Sequence, residues 1–279
     1  MRNAVRVVNA MIAAAAALIL GAPATQANVL DEIVIAHRGG ATDTFGEGTL
    51  MSYQSSVANN ADILDGDIHW TKDSPNDSDK LGTILVIHDS TLNRITNCSG
   101  EVSSWYWSSI SKKCRTDVGG QPLIRLKDLV AYANSAGKEV AIGMKNGDIT
   151  NAQAKQLWNT LKVANSAQLE APYSRVAALN KVKKLDHADS RHKIRYALTA
   201  TGSGGWPSVA RVKSVGTYFH AEMSIPQSRM TAYKKAGIKV FLFTGKNESD
   251  YAKMAALEPY GVVVNDVQRF QIWRNSQVE

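Results

Sequence analysis

Apolar residues along this chain fall into short runs separated by longer amphipathic stretches. The runs at about 33–37, 63–69, 139–144, 167–172, 194–199, 217–222, 239–244 and 262–266 predict eight buried strands. Helical periodicity fills most of the intervals, at about 49–60, 125–136, 150–164, 174–186, 206–214, 226–236 and 248–258. Asn247-Glu-Ser-Asp250 reads as a helix start, and Gly137 and Gly237 read as helix ends. Strands alternating with helices predict an α/β protein with a parallel sheet closed into a single (β/α)₈ TIM barrel. A ninth apolar run, Thr83 to His88, breaks the alternation. Its connection from the second strand, Thr71 to Lys80, is polar and turn-rich, whereas parallel neighbours need a crossover of about a dozen residues or more. The run is therefore expected to fold back as an antiparallel excursion.

Before the first strand, Arg2 and Arg6 precede an apolar stretch from Met11 to Leu20, followed by the small-residue sites Ala22-Pro-Ala24 and Thr25-Gln-Ala27. This pattern predicts a cleaved signal peptide over 1–27 and a secreted domain over 28–279. The stretch is short of the roughly 20 residues that span a bilayer. The remaining domain of roughly 250 residues suits a barrel of this type. The formal net charge is +7; the leader holds two of the 32 basic residues and no acid, so the domain keeps an excess of five. Such an excess favours anionic small molecules or transient contact with an anionic membrane surface, and equally serves solubility. No basic tract interleaved with aromatics points to nucleic acid. Nothing in the sequence calls for an obligate protein partner. Cys98 and Cys114 are the only cysteines, and an even count in an oxidising compartment predicts a disulfide.

The chemistry concentrates where strands end. Ile33-Val-Ile-Ala-His-Arg-Gly-Gly40 places His37 and Arg38 after the first strand, next to a glycine pair that allows a tight turn. His exchanges protons near neutrality, and Arg grips phosphate through two donors. Asp65 and Asp67, two apart in the second strand, point to one side of it. Glu47 and the pair His88-Asp89 add a carboxylate and a second histidine. Clustered carboxylates favour a hard divalent cation, Ca²⁺ or Mg²⁺, and two histidines about a phosphate suit general acid and base. Each residue also has a plainer reading. His37 could only tie down a turn, Arg38 could form a surface ion pair, and Glu47 could be a helix N-terminal acid. His69 is a supporting candidate beside Asp67, and His220 lies in a strand that could face the barrel interior; His187 and His192 read as surface residues. Trp70, Trp105, Tyr106, Trp107 and Trp206 could rim a substrate site or simply pack.

In order along the chain, His37-Arg38-Gly39, Gly46-Glu47-Gly48-Thr49, Asp65-Gly66-Asp67, Thr71-Lys72-Asp73 and His88-Asp89 resemble the pattern of the glycerophosphodiester phosphodiesterases. The resemblance continues through Leu92-Asn-Arg-Ile-Thr96, Pro122 to Leu129, Val140-Ala-Ile-Gly-Met-Lys145 and Gly261-Val-Val-Val-Asn-Asp266. It implies His37 and His88 as catalytic acid and base, Arg38 and Lys145 on the phosphate, and Glu47, Asp65 and Asp67 around Ca²⁺ or Mg²⁺. It further implies attack by a substrate hydroxyl next to the phosphate, through a cyclic phosphate, to give glycerol 3-phosphate and an alcohol. The departures are specific. Gly46 and Gly48 replace the Pro and Asn of the family's Pro-Glu-Asn-Thr, Asp65 shortens an expected Glu, and Gly143 stands where a further metal-binding Glu is expected. Water, Asp148 or Asp89 could fill that gap. These changes keep open a lysophospholipid or sphingolipid substrate on the same barrel, and a phosphate-binding relative without catalysis.

Overall fold

The computed structural model describes residues 32–72, 81–189 and 194–277. The predicted signal peptide, Asp73 and His192 lie outside the described residues. Nine strands form one sheet: β1 (Ile33–Ala36), β2 (Ile63–Trp70), β3 (Ile84–Val86), β4 (Glu139–Met144), β5 (Ala167–Pro172), β6 (Arg195–Ala200), β7 (Tyr218–Glu222), β8 (Lys239–Gly245) and β9 (Gly261–Val264). Eight pair in parallel, in the order β1-β9-β8-β7-β6-β5-β4-β2, and β1 pairs with β2 to close the barrel. The eight-strand TIM barrel expected from the alternation is the architecture observed. β3 runs antiparallel to β2, with Ile68 opposite Val86 and Trp70 opposite Ile84, as the polar connection before it required.

Helices cover the outside: α1 (Thr42–Phe45), α2 (Leu50–Ala58), α3 (Trp107–Lys113), α4 (Leu126–Ser135), α5 (Asn151–Leu161), α6 (Ala177–His187), α7 (Val209–Val215), α8 (Gln227–Lys235), α9 (Glu248–Ala256) and α10 (Val267–Ser276). The caps are local sequence chemistry. Thr150 and Gln153 form a reciprocal capping box at α5, and the Asn247 side chain accepts Asp250 N–H at α9. α10 is an addition to the predicted set; Asp266 caps it, and Phe270 and Trp273 pack on Tyr251 of α9.

Alternation along the strands sets the site. Most of the core lies between barrel and helices, with Leu64, Ile68, Val140 and Ile142 fully or nearly fully buried. Inside the barrel, Ile35, Ile63, Ala141, Phe241 and Val263 form a separate apolar plug. Two residues further along the same strands come His37, Asp65, Gly143, Phe243 and Asn265, because side chains two apart share a face. The plug therefore supports a polar layer at the C-terminal ends of the strands, where barrel enzymes place their chemistry.

The excursion after β2 has its own small core of Leu85, Ile87, Leu92, Ile95, Val102, Ile110 and Leu123. Cys98 and Cys114 are joined there, with S–S 2.09 Å and Cα–Cα 5.5 Å. Trp105 and Trp107 pack against this core, Trp70 is buried and donates to Gln156 Oε1, and Trp206 packs on the main core. For the four tryptophans packing is observed, Tyr106 is exposed with Lys72 over its ring, and one site cavity is lined by Tyr173 and Phe243 instead.

Candidate active site

His37 and Arg38 occupy a turn at the end of β1. Arg38 adopts φ 51° and ψ 29°, left-handed backbone that costs a non-glycine residue about 1–2 kcal/mol. Neighbouring contacts hold it there. Arg38 N donates to Asp65 Oδ2 (3.1 Å), and Arg38 O accepts from Gly48 N (2.8 Å). The adjacent Gly39, at φ 110°, packs so closely on α2 that a Cβ would lie 2.0 Å from Ser52 Oγ. The strained turn aims the guanidinium at two carboxylates: Nη1 lies 3.0 Å from Glu47 Oε2, and Nε 3.5 Å from Asp67 Oδ2.

Asp67 also receives Lys145 Nζ from the end of β4 at 2.9 Å. Burial opposes its charge, but Lys145, His88 and Arg38 outweigh burial and hold Asp67 below the usual carboxylate range. Asp65 goes the other way: burial, Asp67 and Glu170 push it well above that range. Lys145 is disfavoured by burial yet held above its ordinary value by Asp67 and Glu170.

The two histidines differ in surroundings. His37 Nδ1 donates to Asn265 Oδ1 at 2.6 Å, which fixes the tautomer and leaves Nε2 as the basic nitrogen. Burial first, then Arg38, lower its pKa to about 4, so the ring is neutral at pH 7. His88 Nδ1 donates to Asp89 Oδ1 at 2.6 Å, which likewise leaves Nε2 free. Asp89 is itself pushed down to about 2, mainly by Arg94 and then by His88. Arg94 Nε donates to Asp89 Oδ2 at 2.5 Å, and Arg94 Nη2 donates to Glu47 Oε1. His69 lies beneath, donating from Nε2 to His88 O at 3.1 Å.

His37, Arg38, Asp65, Asp67, His88 and Lys145 line a single cavity of about 470 Å³ together with Glu170, Tyr173, Thr199, His220 and Phe243. Glu47 and Arg94 lie on a second recess of about 310 Å³ that shares His37 and Arg38. His37, Arg38, Glu47, Asp65, Asp67, His88 and Lys145 thus each border one or both recesses, while Cys98 and Cys114 sit in the loop after β3. Of the residues offered for the gap at Gly143, Asp148 is excluded by position: its side chain is 64% exposed and paired with Lys181 at 2.7 Å. Asp89 is engaged by His88 and Arg94. Asn265, Arg94 and Glu170 were not singled out from the sequence. The first two lie inside motifs that showed the resemblance, and Glu170 follows Gln168 by two in an otherwise apolar strand, which marks a polar inward face. As the side chains stand, no three His, Cys, Asp or Glu among the described residues enclose a ready-made ion site.

A parallel barrel whose strand ends unite a neutral imidazole, a guanidinium and paired buried carboxylates holds the groups that phosphoric diester hydrolysis calls for. Comparison with known proteins narrows the class. Residues 37–269 match the model of the Glycerophosphoryl diester phosphodiesterase family, and the chain belongs to that family. It is 23% identical over 242 residues to the glycerophosphodiester phosphodiesterase of Caldanaerobacter subterraneus subsp. tengcongensis, covering 84% of this chain and 94% of that one. Identity to the Bacillus subtilis glycerophosphodiester phosphodiesterase is 34% over 80 residues, spanning 29% of this chain and 24% of that relative. Another Bacillus subtilis relative, an uncharacterized protein, is likewise spanned over 28% of its length. Among solved structures, an Oleispira antarctica phosphodiesterase in complex with the product sn-glycerol-3-phosphate superposes with TM-score 0.74 at 17% identity, over 88% of this chain and 98% of that one. The glycerophosphodiester phosphodiesterase of Agrobacterium tumefaciens gives 0.67 at 18% identity, over 86% and 99%.

Proposed function

We propose that this chain is a secreted, metal-dependent hydrolase of glycerophosphodiesters that releases glycerol 3-phosphate and an alcohol. The observation that carries the reading is the Arg38 turn, which spends backbone strain to set one guanidinium between Glu47 and Asp67 beside a neutral His37. A phosphate drawn into the cavity would meet Arg38 and Lys145 as its cationic contacts. The donor set Glu47, Asp65 and Asp67 is all oxygen, and among the described residues no Lys or Arg side chain forms an ion pair with Asp65, so the cluster fits Ca²⁺ or Mg²⁺. Such an ion, when bound, supplies neutralisation of phosphate charge.

His37, neutral and held by Asn265, takes the proton of the substrate hydroxyl next to the phosphate at Nε2. His88, oriented by Asp89, gives a proton to the departing alcohol oxygen, and the roles reverse when water opens the cyclic phosphate. A cavity of about 470 Å³ lined by Tyr173, Thr199 and Phe243 suits a compact head group better than an acyl chain. That supports glycerophosphodiesters over lysophospholipids or sphingolipids.

The test offers glycerophosphocholine, glycerophosphoethanolamine, lysophosphatidylcholine and sphingomyelin with Ca²⁺, Mg²⁺ or EDTA. Glycerol 3-phosphate release that requires metal and is lost in His37→Ala is the expected result. Cleavage of the acylated substrates alone, or turnover unchanged by EDTA, would overturn it.

A further inference from the structure

Gly143 and Glu170 are register partners on the neighbouring strands β4 and β5. A Cβ built at Gly143 would lie 2.2 Å from Asp67 Oδ1 and 3.5 Å from Glu170 Oε1. The space where an acid at 143 would begin is thus already used by Asp67, and the Glu170 carboxylate reaches the same place from the next strand.

Glu170 is not an ordinary buried acid. The residue is only 8% exposed, and its Oε2 is buried without a hydrogen bond. His220 Nδ1 lies 3.0 Å from that oxygen, outside hydrogen-bond alignment. His220 Nε2 is occupied by the Gln168 amide at 2.5 Å, which holds the ring beside the Glu170 carboxylate. A buried carboxylate in this condition is disfavoured unless it is paired or coordinates a cation.

Charge placement points the same way. Glu47 is matched by Arg38 and Arg94, and Asp67 by Arg38 and Lys145. Among the described residues, Asp65 and Glu170 have no Lys or Arg ion pair, and both line the cavity beside Asp67. Asp65 and Glu170 thus add two carboxylates without a Lys or Arg ion pair beside Asp67, an all-oxygen donor set that suits one divalent cation.

We infer that Glu170 supplies, from β5, the metal-binding carboxylate that Gly143 lacks on β4, and that it joins the donor set of Glu47, Asp65 and Asp67 about the cation. This rests on the metal-dependent reading above. Gly143 is then clearance for Asp67, and the ligand set is moved by one strand rather than diminished. His220 and Gln168 are positioning residues for Glu170, in the way that outer partners orient metal-bound carboxylates.

Titration calorimetry with Ca²⁺ and with Mg²⁺ alone, together with thermal unfolding with and without metal, tests the inference. Glu170→Gln is expected to weaken cation binding by at least about tenfold, with Glu170→Asp intermediate, because ligand charge sets affinity. The metal-free Glu170→Gln protein should unfold at the same or a higher temperature, since a buried uncompensated charge is gone, while the rise on adding metal shrinks. A purely structural Glu170 would instead give wild-type cation affinity and a lower metal-free unfolding temperature, and that result overturns the inference. If the wild-type protein binds neither cation, the metal-dependent reading itself fails, which is distinct from wild-type affinity in Glu170→Gln.

Discussion

Lys145 Nζ and Asp67 Oδ1 lie 2.9 Å apart, with Asp67 reaching into the notch left by the missing side chain at Gly143. Gly143→Ala puts a methyl 2.2 Å from that same oxygen, so Asp67 must turn away and lose Lys145. The expected cost is about 1–3 kcal/mol, the usual range for overpacking a filled site. Chemical denaturation measures it, and phosphodiester turnover should fall in parallel because Asp67 is displaced.

Asn265 fixes the proton of His37 on Nδ1. Asn265→Leu leaves the ring free to turn and to adopt the other tautomer. Turnover is expected to fall about 10²-fold, within the range that positioned acid–base catalysis contributes. KM should change little, since Asn265 stands behind the ring. A KM effect with unchanged kcat would contradict this role.

The low pKa of His37, about 4 against 6.5 for a free imidazole, has a defined sign. Between those values the unfolded chain binds a proton that the folded chain refuses. The contribution of His37 to stability is therefore complete above pH 6.5 and is lost as pH falls toward 4. Denaturant midpoints across that window should drop less steeply in His37→Gln than in the wild type. The acid limb of kcat/KM should likewise lie nearer pH 4 than pH 6.5.

Arg38 meets Glu47 and Asp67 through two different nitrogens of one planar group. Lysine offers a single point charge and cannot span both. Arg38→Lys is expected to lower kcat/KM by about 10²-fold or more, as loss of a preorganised donor at developing charge does. Arg38→Gly should be no more active, yet it should lose less stability than a typical truncation, because glycine accepts φ 51° without strain. Comparing activity and unfolding for the two variants separates the functional guanidinium from the strained backbone beneath it.

The Cys98–Cys114 bond closes a loop of 16 positions that carries α3 and lies just beyond Arg94. Chain-entropy reasoning assigns such a loop about 3 kcal/mol. Cys98→Ala/Cys114→Ala should lose a similar amount on denaturation, and its activity should fall further than its folded fraction, because Arg94 steadies both Glu47 and Asp89. Activity that simply tracks the folded fraction would mean that the loop does not hold Arg94 in place.

The barrel was legible because each barrel strand is a largely apolar run, and several end in glycine or beside a polar residue. Even the antiparallel β3 could be read, from a polar connection too irregular for a crossover. α10 was not, since its apolar residues are few and follow directly on the last strand. At the site, Asp65 and Asp67 follow the alternation of β2, His37, His88 and Lys145 come just after strands, and Arg38 is aimed by the turn that follows β1. Glu170 escaped because one acid in Ala167-Gln-Leu-Glu-Ala-Pro172 matches no motif; its meaning depends on the register with Gly143, which only pairing across strands reveals. Asp148 misled for the converse reason. It lies three residues from Lys145 in the chain, but beyond the strand end, where nothing obliges it to turn inward.

β1 lies between β2 and β9, so the first strand of the barrel is a neighbour of the last. His37 at one end of the chain is thereby completed by Asn265 near the other, 228 positions away. During synthesis His37 is made early but stays without its Asn265 partner until the last strand emerges. A growing chain that has already released β1 to β8 thus still has an open seam at β1 and no partner for the His37 ring.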